Sequence, residues 1–281
     1  MFAADRIFTY NIGARTEQIT TVKHENVIYR GIRKIASGSF GTLVITCMKD
    51  FFRKASNLSK IAYGVILAVV LPILMVQIMV TIGDSAGIDM LMLVRIGGIG
   101  MGLIGGFTFS GTAFMESKDQ LWIIQSTPSG TSQYVKARIV SALIIAIPLC
   151  IIPALVITFL AAAGVEILLF MLFYGYVVIS GGILFGTGIT AMNPYYENTK
   201  SPEHQTNVII TTMGVQFALF GPIMISLISD ILGLPFWDMI RNTVGIVGIP
   251  YAFAFFGIVT LLIVSSGALF IGMKRLSRPE I

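Results

Sequence analysis

Charged residues are scarce in this 281-residue sequence. They make up 12% of it, against about 25% in an average soluble chain. This low content excludes an intrinsically disordered chain and a secreted disulfide scaffold, and it disfavours a nucleic-acid partner. The 55% share of hydrophobic residues and the mean hydropathy of +0.86 instead predict a polytopic membrane protein. Only two cysteines, Cys47 and Cys150, are present, and we expect both to be free apolar side chains.

Motifs for catalysis and metal binding are also missing. No G-x-x-x-x-G-K-[ST] sequence occurs, so the chain cannot be an ATPase by itself. The two histidines, His24 and His204, stand alone, which argues against a metal site. Ser110 and Ser180 lack the flanking pattern of a nucleophile elbow. We therefore expect no enzyme activity in this chain and no cofactor bound by it.

Six apolar segments are long enough to cross a bilayer, which takes about 20 residues of helix. These segments are residues 61–82, 90–115, 139–163, 167–191, 207–229 and 246–273. Arg95 is the only charged residue within them, and its long side chain could reach the headgroups or pair with a nearby acid.

The distribution of Lys and Arg predicts the orientation of the bundle. Seventeen of these residues lie in the segments on one side, whereas the opposite connections hold only Arg241 beside five acids. Because positively charged loops stay in the cytoplasm, we expect both termini there, in a multi-pass protein of the cell membrane. The predicted fold is all-α. It comprises a cytoplasmic segment 1–39, an interfacial helix 40–60, a six-helix transmembrane domain 61–273 and a cytoplasmic tail 274–281.

An amphipathic pattern precedes the first predicted span. The apolar residues recur every three or four positions, at Phe40, Leu43, Val44, Cys47, Phe51, Ala55 and Leu58. The opposite face carries Lys49, Asp50, Arg53, Lys54, Asn57 and Lys60. This period predicts one amphipathic helix over 40–60, lying flat on the inner leaflet among anionic lipids. Residues 1–35 are polar and irregular in pattern, and no chemistry is assigned to them.

Glycines are frequent in two of the predicted spans. Gly98, Gly102 and Gly106 recur at a spacing of four in the second span, and Gly182 and Gly186 do so in the fourth. Small residues at this spacing allow helix backbones to approach closely. We expect these five glycines to form packing surfaces, against neighbouring helices or a second copy of the chain.

The connection 116–138, between the second and third predicted spans, combines charged and apolar side chains. It contains, in order, Glu116, Asp119, Leu121, Trp122, Ile123, Ile124, Pro128, Gly130, Lys136 and Arg138. The apolar stretch predicts a short helix that ends at Pro128 and Gly130. A helix this short is marginal alone in water, so it needs a docking surface, either the membrane face or a soluble partner.

The order of Glu116, Trp122, Pro128 and Lys136 resembles the cytoplasmic loop of type-two ABC exporter permeases. In that family the loop carries a coupling helix, which sits in a groove of the nucleotide-binding subunit. The resemblance implies a separate ATPase subunit that binds ATP and Mg²⁺. It also implies an exporter that moves a hydrophobic or amphipathic substrate by alternating access. The implied contact residues are Glu116, Asp119, Leu121, Trp122, Ile124, Pro128 and Lys136.

Other segments are similar to parts of the same family. The segment 193–202 is similar to the second cytoplasmic loop of some members, and the segment 230–245 to a short re-entrant outer element. Six spans make one half of such a transporter, so the resemblance implies a second permease copy or a related half. The family's interfacial connecting helix is similar to the stretch that contains Lys49, Asp50, Phe51 and Arg53.

Two other functions remain open from the sequence. A passive channel or an ion-coupled carrier would use Arg95, Glu166 and the acidic outer connections, although the predicted spans contain no acids. A non-transporting assembly or sensor subunit would use the helix 40–60 and the loop 116–138 only as contact surfaces.

Overall fold

The computed structural model describes residues 27–36, 38–53, 55–82, 90–110, 126, 129–160, 164–194, 202–233 and 236–277. Within these ranges the regular structure is helical and no strand occurs, so the all-α prediction is confirmed for them. The eight described helices are α1 (Val27–Ile35), α2 (Ser39–Arg53), α3 (Ala55–Ile82), α4 (Met90–Ser110), α5 (Gly130–Leu160), α6 (Val165–Met192), α7 (Pro202–Ile231) and α8 (Phe236–Leu276).

Three described helical segments are long and apolar enough to cross a membrane. They are Gly130–Phe159, Val165–Met192 and Ala254–Leu276, which coincide with the third, fourth and sixth predicted spans. Three such helices indicate a membrane-embedded protein. Helices α3, α4 and α7 overlap the first, second and fifth predicted spans, and a total of six membrane-spanning helices stays a prediction.

Helix α6 lies at the centre of the bundle. It contacts α4, α5, α7 and α8, and Met171, Val178, Ile179 and Ile183 on it are almost completely buried. A helix that is apolar around its whole circumference is expected to be covered on all sides. The sequence of α6 meets that condition because glycines and threonines supply most of its other positions.

Glycine brings α4 and α6 into backbone contact. A Cβ atom added at Gly182 would lie 2.8 Å from the carbonyl oxygen of Gly102 and 2.8 Å from the amide nitrogen of Gly106. A Cβ atom added at Gly102 would lie 2.8 Å from Cγ1 of Val178. All of these distances are shorter than real Cβ contacts, so only glycine fits at these positions without a shift of the helices.

The other two glycines of the predicted packing set are also buried within the chain. Gly98 lies against the ring of Tyr174. Gly186 is buried in α6, and its carbonyl oxygen accepts a hydrogen bond from Thr190 Oγ1 at 2.7 Å. The five glycines therefore lie in contacts within one chain, and a role for them between two copies stays a prediction.

The predicted single helix over 40–60 is divided in two. Helix α2 ends at Arg53 and α3 begins at Ala55. Asn57, which the sequence pattern placed on the polar face, is only 2% exposed. Its Nδ2 donates a hydrogen bond to the carbonyl oxygen of Phe51 at 3.2 Å, near the end of α2. Apolar spacing runs through both helices, so the pattern could not reveal the break.

Residues 1–35 are not irregular throughout, because α1 occupies Val27–Ile35. Gly38, at φ +84°, separates α1 from α2. Glycine adopts this left-handed conformation at little cost. The helix was missed because it has only nine residues, and a helix this short depends on packing rather than on its own propensity.

The described residues of the segment 230–245 belong to the end of α7, a turn and the start of α8, and a re-entrant course for them stays a prediction. Helix α7 ends at Ile231, Gly233 at φ +66° forms the turn, and α8 runs unbroken from Phe236 to Leu276. A left-handed glycine just after a helix is a common way to end it. The apolar residues of this segment that the resemblance assigned to an outer element belong in part to the first turns of α8.

We expect Gly182→Ala to destabilise the bundle by about 1–3 kcal/mol, because the added methyl group overpacks the contact between α4 and α6. The measurement is the free energy of unfolding in mixed micelles. Gly267→Ala is the matched control, since a Cβ atom at Gly267 meets nothing within 4 Å. The control should be neutral or stabilising, and equal effects of the two substitutions would contradict this account.

Candidate functional site

The candidate site is the end of the bundle where the loop 116–128 joins α5. The predicted contact residues Glu116, Asp119, Leu121, Trp122, Ile124 and Pro128 lie outside the described residues. Within the loop only Ser126 is described, as an exposed helical residue, and the description resumes at Ser129.

Helix α5 starts earlier than the predicted connection allowed. Ser129 has φ 61°, and its carbonyl oxygen accepts a hydrogen bond from the amide of Gln133 at 3.0 Å. Gly130 is the first residue of the helix, so it does not end the preceding structure. Lys136 consequently lies on the second turn of α5, with its side chain exposed. Arg138 is also part of the helix.

A small group of buried side chains ties the start of α5 to three other helices. We call it the basal cluster. Its members come from α2, from α5, from the last turn of α6 and from the end of α8, and they are Cys47, Tyr134, Val135, Ile139, Ala191 and Leu276. Because each of these side chains is at most 8% exposed, the middle of α2 and the ends of the other three helices pack as a single apolar unit.

Helix α2 places its apolar face against protein rather than against lipid. Val44 and Met48 are buried in the main core. Phe51 is 6% exposed, and its ring stacks on Phe109 of α4 with centroids 5.2 Å apart. Helix α2 also contacts α5 along its length. The predicted apolar face is therefore confirmed for α2 and is covered by protein, while the contact of α2 with the inner leaflet stays a prediction.

The charged residues of α2 form a solvated rim. The Nζ atom of Lys49 lies 5.1 Å from the ring centroid of Tyr29 in α1, a cation–π distance. Arg53 and Asp50 approach to 3.9 Å, and both side chains are substantially exposed. An exposed pair at this distance contributes little stability. Lys49 thus joins α1 to α2, while Asp50 and Arg53 are available to solvent or to a partner.

A small pocket with both polar and apolar walls lies beside the basal cluster. Its volume is about 10 Å³, and its walls include Cys47, Arg138, Ser141 and Thr187. This space is at the lower limit for one water molecule, so it is too small to hold a transported molecule. Burial raises the pKa of the Cys47 thiol, and the neighbouring Arg138 guanidinium only partly offsets this. The thiol is therefore neutral near pH 7.

The sequence missed a second fixed connection at the same end of the bundle. Asn207 of α7 donates a hydrogen bond from Nδ2 to the carbonyl oxygen of Asn193 at 2.9 Å. Asn193 follows the last turn of α6, and Asn207 is only 3% exposed. This bond ties the start of α7 to the end of α6. Both asparagines are visible in the sequence, but neither lies in a pattern that predicts which residue it bonds to.

Of the groups that a channel or carrier would use, only Glu166 has a described side chain. Glu166 is exposed in the first turn of α6, where a carboxylate stabilises the helix dipole. The side chain of Arg95 lies outside the described residues. No group of three or more His, Cys, Asp or Glu side chains that could hold a metal occurs among the residues that were described.

Comparisons with protein-family models, with curated proteins and with solved structures found no match to this chain.

We expect Ile139→Ala to lower the free energy of unfolding by about 2 kcal/mol or more, because it leaves a cavity in the basal cluster. Ile152→Ala is the matched control on the same helix, where the side chain is 47% exposed. Denaturation in mixed micelles measures both. The basal cluster would not be a packed unit if Ile139→Ala cost no more than Ile152→Ala.

Proposed function

We propose that this chain is the membrane-spanning permease subunit of an ATP-driven exporter, with six transmembrane helices and both termini in the cytoplasm. A separate nucleotide-binding subunit supplies ATP hydrolysis, with Mg²⁺, and docks on the loop 116–128 and the start of α5. The permease pairs with a second copy or a related half. The cargo is hydrophobic or amphipathic, and it crosses by alternating access.

The observation that supports this proposal is the tight packing of the start of α5, the helix that follows the loop in the sequence. Helix α5 has 31 residues, which corresponds to about 46 Å, whereas the hydrocarbon of a bilayer is about 30 Å thick. Its first turns therefore extend toward the headgroups or beyond. Tyr134 and Val135 in those turns are packed into the basal cluster. In the proposed mechanism, a force that reaches the start of α5 is therefore passed to the helices that share this cluster.

Packing determines how such a force would spread. The basal cluster joins α5 to α2, α6 and α8, and the glycine contact joins α6 to α4. A well-packed interior moves as a body instead of deforming smoothly. In the proposed mechanism, closure of the ATPase on ATP pushes the short loop helix and tilts this body. The tilt opens one side of a cavity between two permease halves and closes the other.

Charge and composition support the proposed partners. The chain lacks its own nucleotide-binding motif, so an ATP-driven transporter needs a second subunit. Arg53 and Lys136 are exposed at the same end of the bundle, where they offer cationic contacts to that subunit or to lipid headgroups. The opposite connections hold one Lys or Arg residue against seventeen on the other side, which supports an outer location for them by the positive-inside rule.

The proposed topology predicts which residues are reached from outside the cell. Single cysteines at Ser85, Gly164 and Leu232 should react with an impermeant maleimide on intact cells, whereas cysteines at Ser39 and Ser126 should react only in inverted vesicles. The native Cys47 and Cys150 are buried, which keeps the background low. Labelling of Ser126→Cys from outside would show that the proposed orientation is inverted. If Ser85→Cys is not labelled from outside, the first two predicted spans do not cross the membrane as proposed.

The coupling assignment predicts different effects for the two tryptophans. Trp122→Ala and Glu116→Lys should each abolish stimulation of the ATPase subunit that co-purifies with this chain when both proteins are reconstituted in nanodiscs, because the loop helix loses its apolar anchor or gains a repelling charge. Trp237→Ala is the matched control, since these are the only two tryptophans and Trp237 lies in α8 on the predicted outer side.

Two readouts separate failure of coupling from failure of folding. Each variant should keep the thermal stability of the parent protein and insert normally. Unchanged ATPase stimulation in both loop variants would refute the assignment of the loop, and an equal loss in Trp237→Ala would show that the effect is not specific to it.

A further inference from the structure

Helix α1 exposes apolar and basic side chains on the same short segment. Val27, Ile28 and Ile35 are 78%, 57% and 91% exposed. The helix also carries Arg30, Arg33 and Lys34, all exposed, and its sequence contains no acid. Exposed branched apolar side chains are unfavourable in water, so this surface needs a cover that also accommodates three cations.

The remaining part of α1 is fixed to the body of the protein. Tyr29 and Ile32 pack against the main core, and the Lys49 ammonium lies over the Tyr29 ring. Ile28 and Ile35 are seven residues apart, so they share one face of the helix. Ile32 lies between them on that face, so Ile28 and Ile35 flank the contact with the core and keep a large exposed area beside it.

We propose that α1 binds the anionic lipid surface that borders the basal cluster. Ile28 and Ile35 enter the acyl boundary, and Arg30, Arg33 and Lys34 meet headgroup phosphates. The chain is embedded in a membrane through helices that share the basal cluster with α2, so a leaflet lies close to α1. An amphipathic helix with a basic face is the form that lies in this interface, and its charge is complementary to anionic lipid.

The apolar face of α2 cannot provide this contact, because it is covered by α4 and α5. The proposal concerns attachment to the bilayer and does not depend on transport or on an ATPase. Each cation near an anionic surface strengthens binding by about fivefold at low salt. Loss of two cations should therefore weaken the attachment of α1 by about thirtyfold, and high salt should weaken it in the same direction.

The test uses the full chain, labelled at Ile35→Cys with an environment-sensitive fluorophore. The protein is reconstituted in phosphatidylcholine nanodiscs with or without phosphatidylglycerol. We expect emission to shift to shorter wavelength, and quenching by lipids that carry a spin label in the acyl chain to increase, only when phosphatidylglycerol is present. Arg30→Gln with Lys34→Gln should reverse both changes. Lys274→Gln with Arg275→Gln is the control, because it removes the same charge from exposed positions at the end of α8.

Each outcome decides the proposal. Lipid-dependent signals that the α1 double variant loses and the α8 double variant keeps would support it. Equal loss of the signals in both double variants would show that only the net charge of the protein matters, and it would overturn the specific role of α1. A signal that is absent in every lipid, or that appears only when a soluble subunit is added, would assign the surface to water or to a protein instead. Retention of the parent melting temperature shows that the variants are folded.

Discussion

Glycines bring the backbones of α4 and α6 into direct contact. The backbone of Gly182 rests on the backbone of Gly102 and Gly106. Lipid tails are as apolar as leucine, so burial of apolar surface drives helices together only weakly inside a membrane. Close approach provides dispersion contacts instead. Because α6 also contacts α5, α7 and α8, its fixed distance to α4 constrains the positions of the whole bundle.

The same constraint suggests where motion is possible. Ser265 of α8 donates a hydrogen bond to the carbonyl oxygen of Gly181 at 2.9 Å, and a Cβ atom at Gly188 would lie 2.6 Å from the backbone of Ala268. Helices held this closely cannot slide past one another without loss of contact. In the proposed exporter, alternating access would therefore arise from rotation of each half against its partner, with the described helices of one half moving together.

Hydropathy and glycine spacing predicted the helical class, the apolar segments and the glycine packing surfaces on α4 and α6, because these depend on local composition. They did not predict what lies opposite each surface. A period of three to four residues shows that α2 has one apolar face to cover, but the pattern is the same whether lipid or protein covers it. Likewise, Asn57 looked polar and exposed because its partner, the Phe51 carbonyl, becomes available only where α2 ends. Such pairings depend on tertiary geometry.

Burial distinguishes two amphipathic helices that the sequence pattern could not separate. Val44 of α2 is fully buried, whereas Ile35 of α1 is 91% exposed, although both lie on apolar faces. The first helix is thus part of the protein core, and the second carries a surface without a protein cover in the described structure. Lys49 links the two helices, and α2 reaches the basal cluster through Cys47. If α1 rests on lipid and an ATPase acts on the start of α5, both influences meet at that cluster, and the leaflet would provide the fixed surface against which α5 tilts.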